Sequence, residues 1–223
     1  MALIHLVPNW FLRFDIGLEI LFAIVTFVVA YYSYKIYKLS DQEESRILSF
    51  AFLSISISYL IKAVVNLLII SDVDDKISNV SFANINTLQN VGAFANSAYI
   101  VLFTFGLVLL AYMTFKIRSL RALSLLLATN VFVIFLSQNR ILSFYLLSSL
   151  LTIYISAHYY LEYIKKNNYK NLALFFAFIF LFFSGIIFIF SKVYYISYVI
   201  GHLLELGSYL IILLILISAI RKK

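Results

Sequence analysis

Seven apolar runs follow one another along the chain, each near the ~20 residues that a helix needs to cross the hydrocarbon layer of a membrane. They cover 15–37, 47–70, 91–115, 120–136, 141–164, 172–191 and 195–220, and the fourth is the shortest. The runs are continuous rather than alternating with a period of two, which selects helices over a transmembrane barrel. Pro8 is the only proline, so no run carries a proline kink. Charged residues make up 12% of the chain, against about 25% in a soluble domain. That is too few to cover a core in water, and a bilayer as solvent removes the difficulty. The expectation is an all-α polytopic membrane bundle of seven transmembrane helices. It forms one transmembrane domain over 1–223 with no soluble domain.

The basic residues give a direction. With seven spans, Lys35, Lys38, Arg46, Lys116, Arg118, Arg121, Lys165, Lys166, Lys170, Arg221, Lys222 and Lys223 fall on one side. Arg13, Lys76, Arg140 and Lys192 fall on the other, and twelve against four puts the N-terminus outside and the C-terminus in the cytoplasm of a cell membrane. Dropping the fourth span would scatter the later basic clusters to the wrong side. Nucleic acid is excluded as a partner because the basic residues sit at the ends of apolar runs, not on one phosphate-binding face. The chain has no cysteine, which excludes disulfides, thiol catalysis and thiolate metal sites. Residues 1–14 lack a basic start and a small-residue cleavage site, so they are expected to lie at the interface, with Trp10 and Phe11 as anchors.

The segment 71–90 is expected to be the longest outer loop. It carries Asp72, Asp74 and Asp75, and Asn79-Val80-Ser81 is a glycosylation sequon on the proper face. An internal echo pairs Tyr31-Tyr32-Ser33-Tyr34-Lys35 with Tyr159-Tyr160-Leu161-Glu162-Tyr163 at the inner ends of the first and fifth runs. A 3+1+3 arrangement with the fourth helix as linker would produce it. Aromatic residues gathering at any membrane interface would produce it too.

Ionisable groups inside a bilayer are costly and need a partner or a purpose. In the second run Ser54, Ser58, Lys62 and Asn66 are spaced four apart on one helix face. Lys62 lies ~13 Å from the outer end, which calls for an acidic partner. Asp15 and Glu19 share a face of the first run, and Glu205 lies ~16 Å into the seventh. His202 and Glu205 are three apart, Tyr198 and Tyr209 extend their face, and Gly201 and Gly207 allow close helix approach. Asn96 and Ser97 of the third run reach the same level. The candidate ligand-binding cluster is therefore Glu19, Lys62, Asn66, Asn96, His202 and Glu205, in the outer half of the bundle.

Elsewhere, Tyr145, Ser148, Thr152 and Ser156 mark the inward face of the fifth run. His158 and Glu162 near its inner end read as an interfacial salt bridge beside Lys165 and Lys166. The sixth run, almost devoid of polar residues, is expected to be the most exposed to lipid. His158 and His202 lie at opposite depths, which excludes a bis-histidine haem, and the seventh run lacks the mid-membrane lysine of a retinal protein.

The cluster reads either as an ion pair that fixes helix order or as a solute, ion or proton site. The leading expectation is a receptor-like or transport-related module binding a small solute or ion. Lys62 and Glu205 supply the charges, Glu19 and His202 tune them, and Asn96 orients the ligand. The alternative is a non-catalytic accessory or scaffold subunit with membrane-protein partners, and an intramembrane enzyme ranks third because no nucleophile and base can be assembled. No cofactor or metal is expected; the expected partners are the lipid bilayer, a small solute or ion, and other membrane proteins.

Overall fold

The structure is a computed structural model and describes residues 12–75, 82–115, 119–191 and 194–221, with side chains over 14–68, 90–115, 119–191, 194 and 196–218. Trp10, Phe11, Lys76 and the sequon at Asn79 lie outside the described residues, as does the side chain of Arg13. The chain forms helices α1 (Leu12–Ser40), α2 (Glu43–Asp75), α3 (Phe82–Phe115), α4 (Leu120–Leu136), α5 (Arg140–Lys166), α6 (Tyr169–Phe190) and α7 (Tyr195–Arg221). Among the described residues there are no strands. All but α4 are long and apolar enough to cross a membrane. Large apolar side chains such as Phe14, Leu120 and Phe132 stand on the outer surface, as a lipid-facing bundle requires.

Within the segment 71–90, residues 71–75 and 82–90 are helical rather than loop, and 76–81 lie outside the described residues. Helix α2 continues through Asp75 and α3 begins at Phe82. No glycine or proline occurs between 71 and 90 to interrupt either helix.

Six helices close a ring in the order α1, α2, α3, α5, α6, α7, with α7 returning to α1, while α4 packs only against α3 and α5. The two non-hairpin neighbours run in parallel. Tyr99 and Phe115 of α3 meet Phe144 and Tyr154 of α5 in the same order along both chains. Asp15 and Phe22 of α1 likewise meet Tyr198 and then Tyr209 of α7. Helix α4 therefore carries the chain back from the end of α3 to the start of α5.

Without a hydrophobic drive between helices in lipid, small residues and hydroxyls hold such a ring together. Ser49 and Ser56 of α2 donate to the carbonyls of Ala30 and Ala23 on α1, and Ser54 donates to Leu102 on α3. Gly106 of α3 sits so close to α2 that a Cβ there would lie 2.7 Å from the Ala51 carbonyl oxygen. The α1–α2 and α5–α6 hairpins turn in the same way. Asp41 and Asn167 each adopt a left-handed backbone and return an N–H to the carbonyl of Tyr37 and Tyr163 respectively.

Two expectations change. Helix α6 is not the most exposed, since it buries Phe178, Leu181, Ser184 and Phe188 between α5 and α7 and keeps a larger share of its span covered than α5 does. Close packing of small and aromatic residues replaces the polar contacts that its sequence lacks. Of the two α7 glycines only Gly201 marks a close approach, because a Cβ on Gly207 would meet nothing nearer than 3.8 Å. Gly106→Ala is therefore expected to destabilise by about 1–3 kcal/mol through overpacking, and Gly207→Ala to be neutral. Thermal melting of the two variants in detergent checks this, and equal melting would contradict the α2–α3 packing.

Candidate functional site: a buried ionic cluster

Side chains from α1, α2 and α7 converge at one level because each helix presents them at a helical repeat. Asp15 and Glu19 are four apart, as are Lys62 and Asn66, and Tyr198, His202, Glu205 and Tyr209 share one face of α7. Glu19 is fully buried. Its carboxylate takes the Lys62 ammonium at 2.9 Å and both Asn66 Nδ2 contacts, at 3.0 and 2.9 Å. The Lys62 side chain keeps 18% of its surface exposed, and its ammonium also lies 5.2 Å over the centre of the Tyr99 ring. An ammonium against an aromatic face gains further attraction where water is scarce.

The second half of the cluster is built on α7. His202 Nε2 lies 3.1 Å from Asp15 Oδ1, and its Nδ1 lies 3.4 Å from Glu205 Oε2. Both are ion-pair distances, although the ring is not aligned for a linear hydrogen bond to either. Tyr198 donates to the other Asp15 oxygen at 2.9 Å. Tyr59 of α2 donates to Glu205 Oε1 at 2.5 Å, and its hydroxyl lies 3.1 Å from that of Tyr209. The Tyr59 proton is committed to Glu205, so Tyr209 is the donor of that pair. Phe188 packs on His202 from α6, and Gly201 gives it room: a Cβ there would lie 2.7 Å from the Phe188 ring.

Glu205 also borders a small cavity lined by α3, α5, α6 and α7. Its polar lining comes from Tyr99, Tyr145, Ser148, Thr152 and Ser184. The space that a water-sized sphere can reach inside it is about 20 Å³, enough for about one water. The fifth-helix stripe thus faces inward, with Thr152 and Ser156 buried.

Five of the six sequence candidates, all but Asn96, lie within this network. Asn96 is half-buried and makes no hydrogen bond among the described residues. Lys62 and Glu205 do not pair: Lys62 takes Glu19, while Glu205 takes Tyr59 and His202. Asp15 belongs to the cluster and was left out of the candidate set, although its four-residue spacing from Glu19 was the available signal. Tyr59 and Tyr99 carried no such signal, since tyrosine is common in every run. At the far end of α5, Glu162 pairs with Lys166 at 2.7 Å, an interfacial salt bridge.

Set against models of known families, curated proteins and solved structures, the chain matches none. Fold and site define it as an all-helical multi-pass membrane protein with an ionic cluster inside its bundle.

Glu19→Gln leaves the Lys62 charge with half its partner and is expected to cost about 3–5 kcal/mol, the range for breaking a buried ion pair. Lys62→Met with Glu19→Gln together is expected to recover most of that loss. Chemical unfolding of the single and double variants reads the coupling, and additive losses would contradict the pairing.

Proposed function

We propose that this chain is a seven-crossing bundle of the cell membrane, N-terminus outside and C-terminus cytoplasmic. Its cluster binds a small solute or ion in the outer half, as a receptor-like or transport-related module. Seven crossings are supported by the parallel course of α3 and α5, which obliges α4 to return the chain between them. At ~25 Å long, α4 falls a little short of the ~30 Å hydrocarbon layer, a mismatch that local thinning absorbs at modest cost. The orientation is supported by the twelve-to-four distribution of basic residues.

The observation that carries the functional reading is the charge count of the cluster. Three carboxylates, Asp15, Glu19 and Glu205, stand with one ammonium and one imidazole. Even with His202 protonated one negative charge has no basic partner within the cluster. Burying an uncompensated charge in this setting is expensive, so the site favours a positively charged occupant. The small cavity beside Glu205, with space for about one water, suits an ion or proton better than a large solute.

The matching turns at Asp41 and Asn167 support a repeat of α1–α3 in α5–α7, with α4 as linker. So does the ring, in which the α3–α5 contact mirrors α7–α1. Parallel repeats of this kind suit transport, with the site between halves that rock against each other.

Melting of the purified protein at fixed pH, with sodium, potassium, ammonium and choline chlorides, tests the reading. A bound cation at 100 times its Kd stabilises by about 2.7 kcal/mol, a shift of several degrees. Glu205→Gln is expected to remove the response. No shift with any cation, together with a stoichiometric co-purifying membrane protein, would overturn the reading in favour of an accessory subunit.

A further inference from the structure

We propose that Asp15, His202 and Glu205 form a proton relay between the outer mouth of the bundle and the cavity lined by α3, α5, α6 and α7. The relay rests on the ion-site reading above and names its ion as the proton.

The geometry of His202 carries the argument. The ring is buried and presents one nitrogen to each of two carboxylates, Nε2 to Asp15 at 3.1 Å and Nδ1 to Glu205 at 3.4 Å. A neutral imidazole has one N–H and one bare lone pair. Between two ionised carboxylates it would point that lone pair at an anion. Either the ring is an imidazolium or one of the carboxyls keeps its proton, so the three groups together hold one exchangeable proton with a seat at each end.

The surroundings leave those seats to His202. Tyr198 occupies the second oxygen of Asp15, and Tyr59 the second oxygen of Glu205. Phe22 stacks on the imidazole at 5.7 Å between centroids, and Phe188 and Tyr198 meet it at 4.9 and 4.6 Å. These rings hold its orientation through their faces and edges. The groups facing it are Asp15 on α1, with Glu19 a turn beyond, and Tyr198 and Glu205 on its own helix. Lys62 and Tyr59 of α2 lie behind those carboxylates, and α6 offers only Phe188, with Tyr145 of α5 behind it.

In the transfer, the Asp15 O–H breaks as an Nε2–H forms, and the Nδ1–H breaks as an O–H forms on Glu205. One proton moves inward and the ring changes tautomer; no electron is transferred and no co-reactant is consumed. Glu205 then borders the cavity, where about one water has space beside the hydroxyls of Tyr145, Ser148, Thr152 and Ser184.

Nitrogen-15 NMR of histidine-labelled protein in lipid tests the relay. The chain has three histidines, and His5→Gln and His158→Gln assign the signals. The expected result is that neutral His202 populates both the Nδ1–H and Nε2–H tautomers. Asp15→Ala is expected to lose the Nε2–H form and Glu205→Ala the Nδ1–H form, a readout that a merely structural role would not move. A single tautomer at every pH in the wild type would overturn the relay, and that spectrum decides even where a variant fails to fold. Cation-dependent melting with a single tautomer leaves the ion site standing without the relay. Two tautomers without such melting keep the relay, with the proton as the site's own ion. A single tautomer with no cation response would overturn both.

Discussion

A carboxylate with no exposed surface, inside a bundle whose outer face is apolar, has to find its donors on neighbouring helices, and Glu19 finds two of them on α2, Lys62 and Asn66. Water cannot take over that duty in the hydrocarbon layer. The Lys62 contact therefore fixes the rotation of α2 about its axis, and the serines on that helix then fall into place. Ser49 and Ser56 reach α1 while Ser54 reaches α3, so α2 is stitched to both sides along its length. The lysine bridges the same two helices, through Glu19 of α1 and the Tyr99 ring of α3.

The ring divides chemically into unequal parts. Charges gather on α1, α2 and α7, whereas α5 and α6 contribute hydroxyls and small residues: Ser148, Thr152, Ser184 and Gly185. The two hairpins nonetheless share a skeleton. Thr26 on α1 and Thr152 on α5 stand equally far from the left-handed residue that ends each helix, and both hydroxyls donate to the carbonyl four residues back. Counting back from the same turns, Glu19 corresponds to Tyr145. Where one half places a carboxylate, the other places a phenol beside the cavity. Glu205, on α7 of the second half, brings a carboxylate to the same cavity.

Much of this was legible in the sequence because bilayer physics acts on runs of residues. Apolar length sets helix existence, and helical spacing sets which polar residues share a face. Both can be read without knowing the neighbours, as in the pairs Asp15/Glu19, Lys62/Asn66 and His202/Glu205. Pairing between helices was not legible. Depth counted along each helix placed Lys62 and Glu205 at similar levels, but it cannot say how each helix is rotated. The ring order that puts α1 between α2 and α7 gives Lys62 to Glu19. The ends of α2 and α3 were misjudged for a different reason. Polar composition suggested a loop throughout, yet polarity does not break a helix, and 71–75 and 82–90, which are helical, contain neither glycine nor proline.

The cluster raises a question of cost that packing alone does not answer. A buried ion pair replaced by apolar side chains of similar volume is often as stable or more so. Nothing in the α1–α2 interface needs a lysine to fill it, since Phe22 and Tyr59 already pack there. An ion pair that only set helix order could also stop at Lys62, Glu19 and Asn66, where both Glu19 oxygens already have a donor. The second half does not stop in that way. Asp15 and Glu205 place two acids on one imidazole, an arrangement that cannot be neutral and fully bonded without an added proton. That excess of acid, packed among aromatic rings and bordering a cavity for about one water, is what packing alone leaves unexplained.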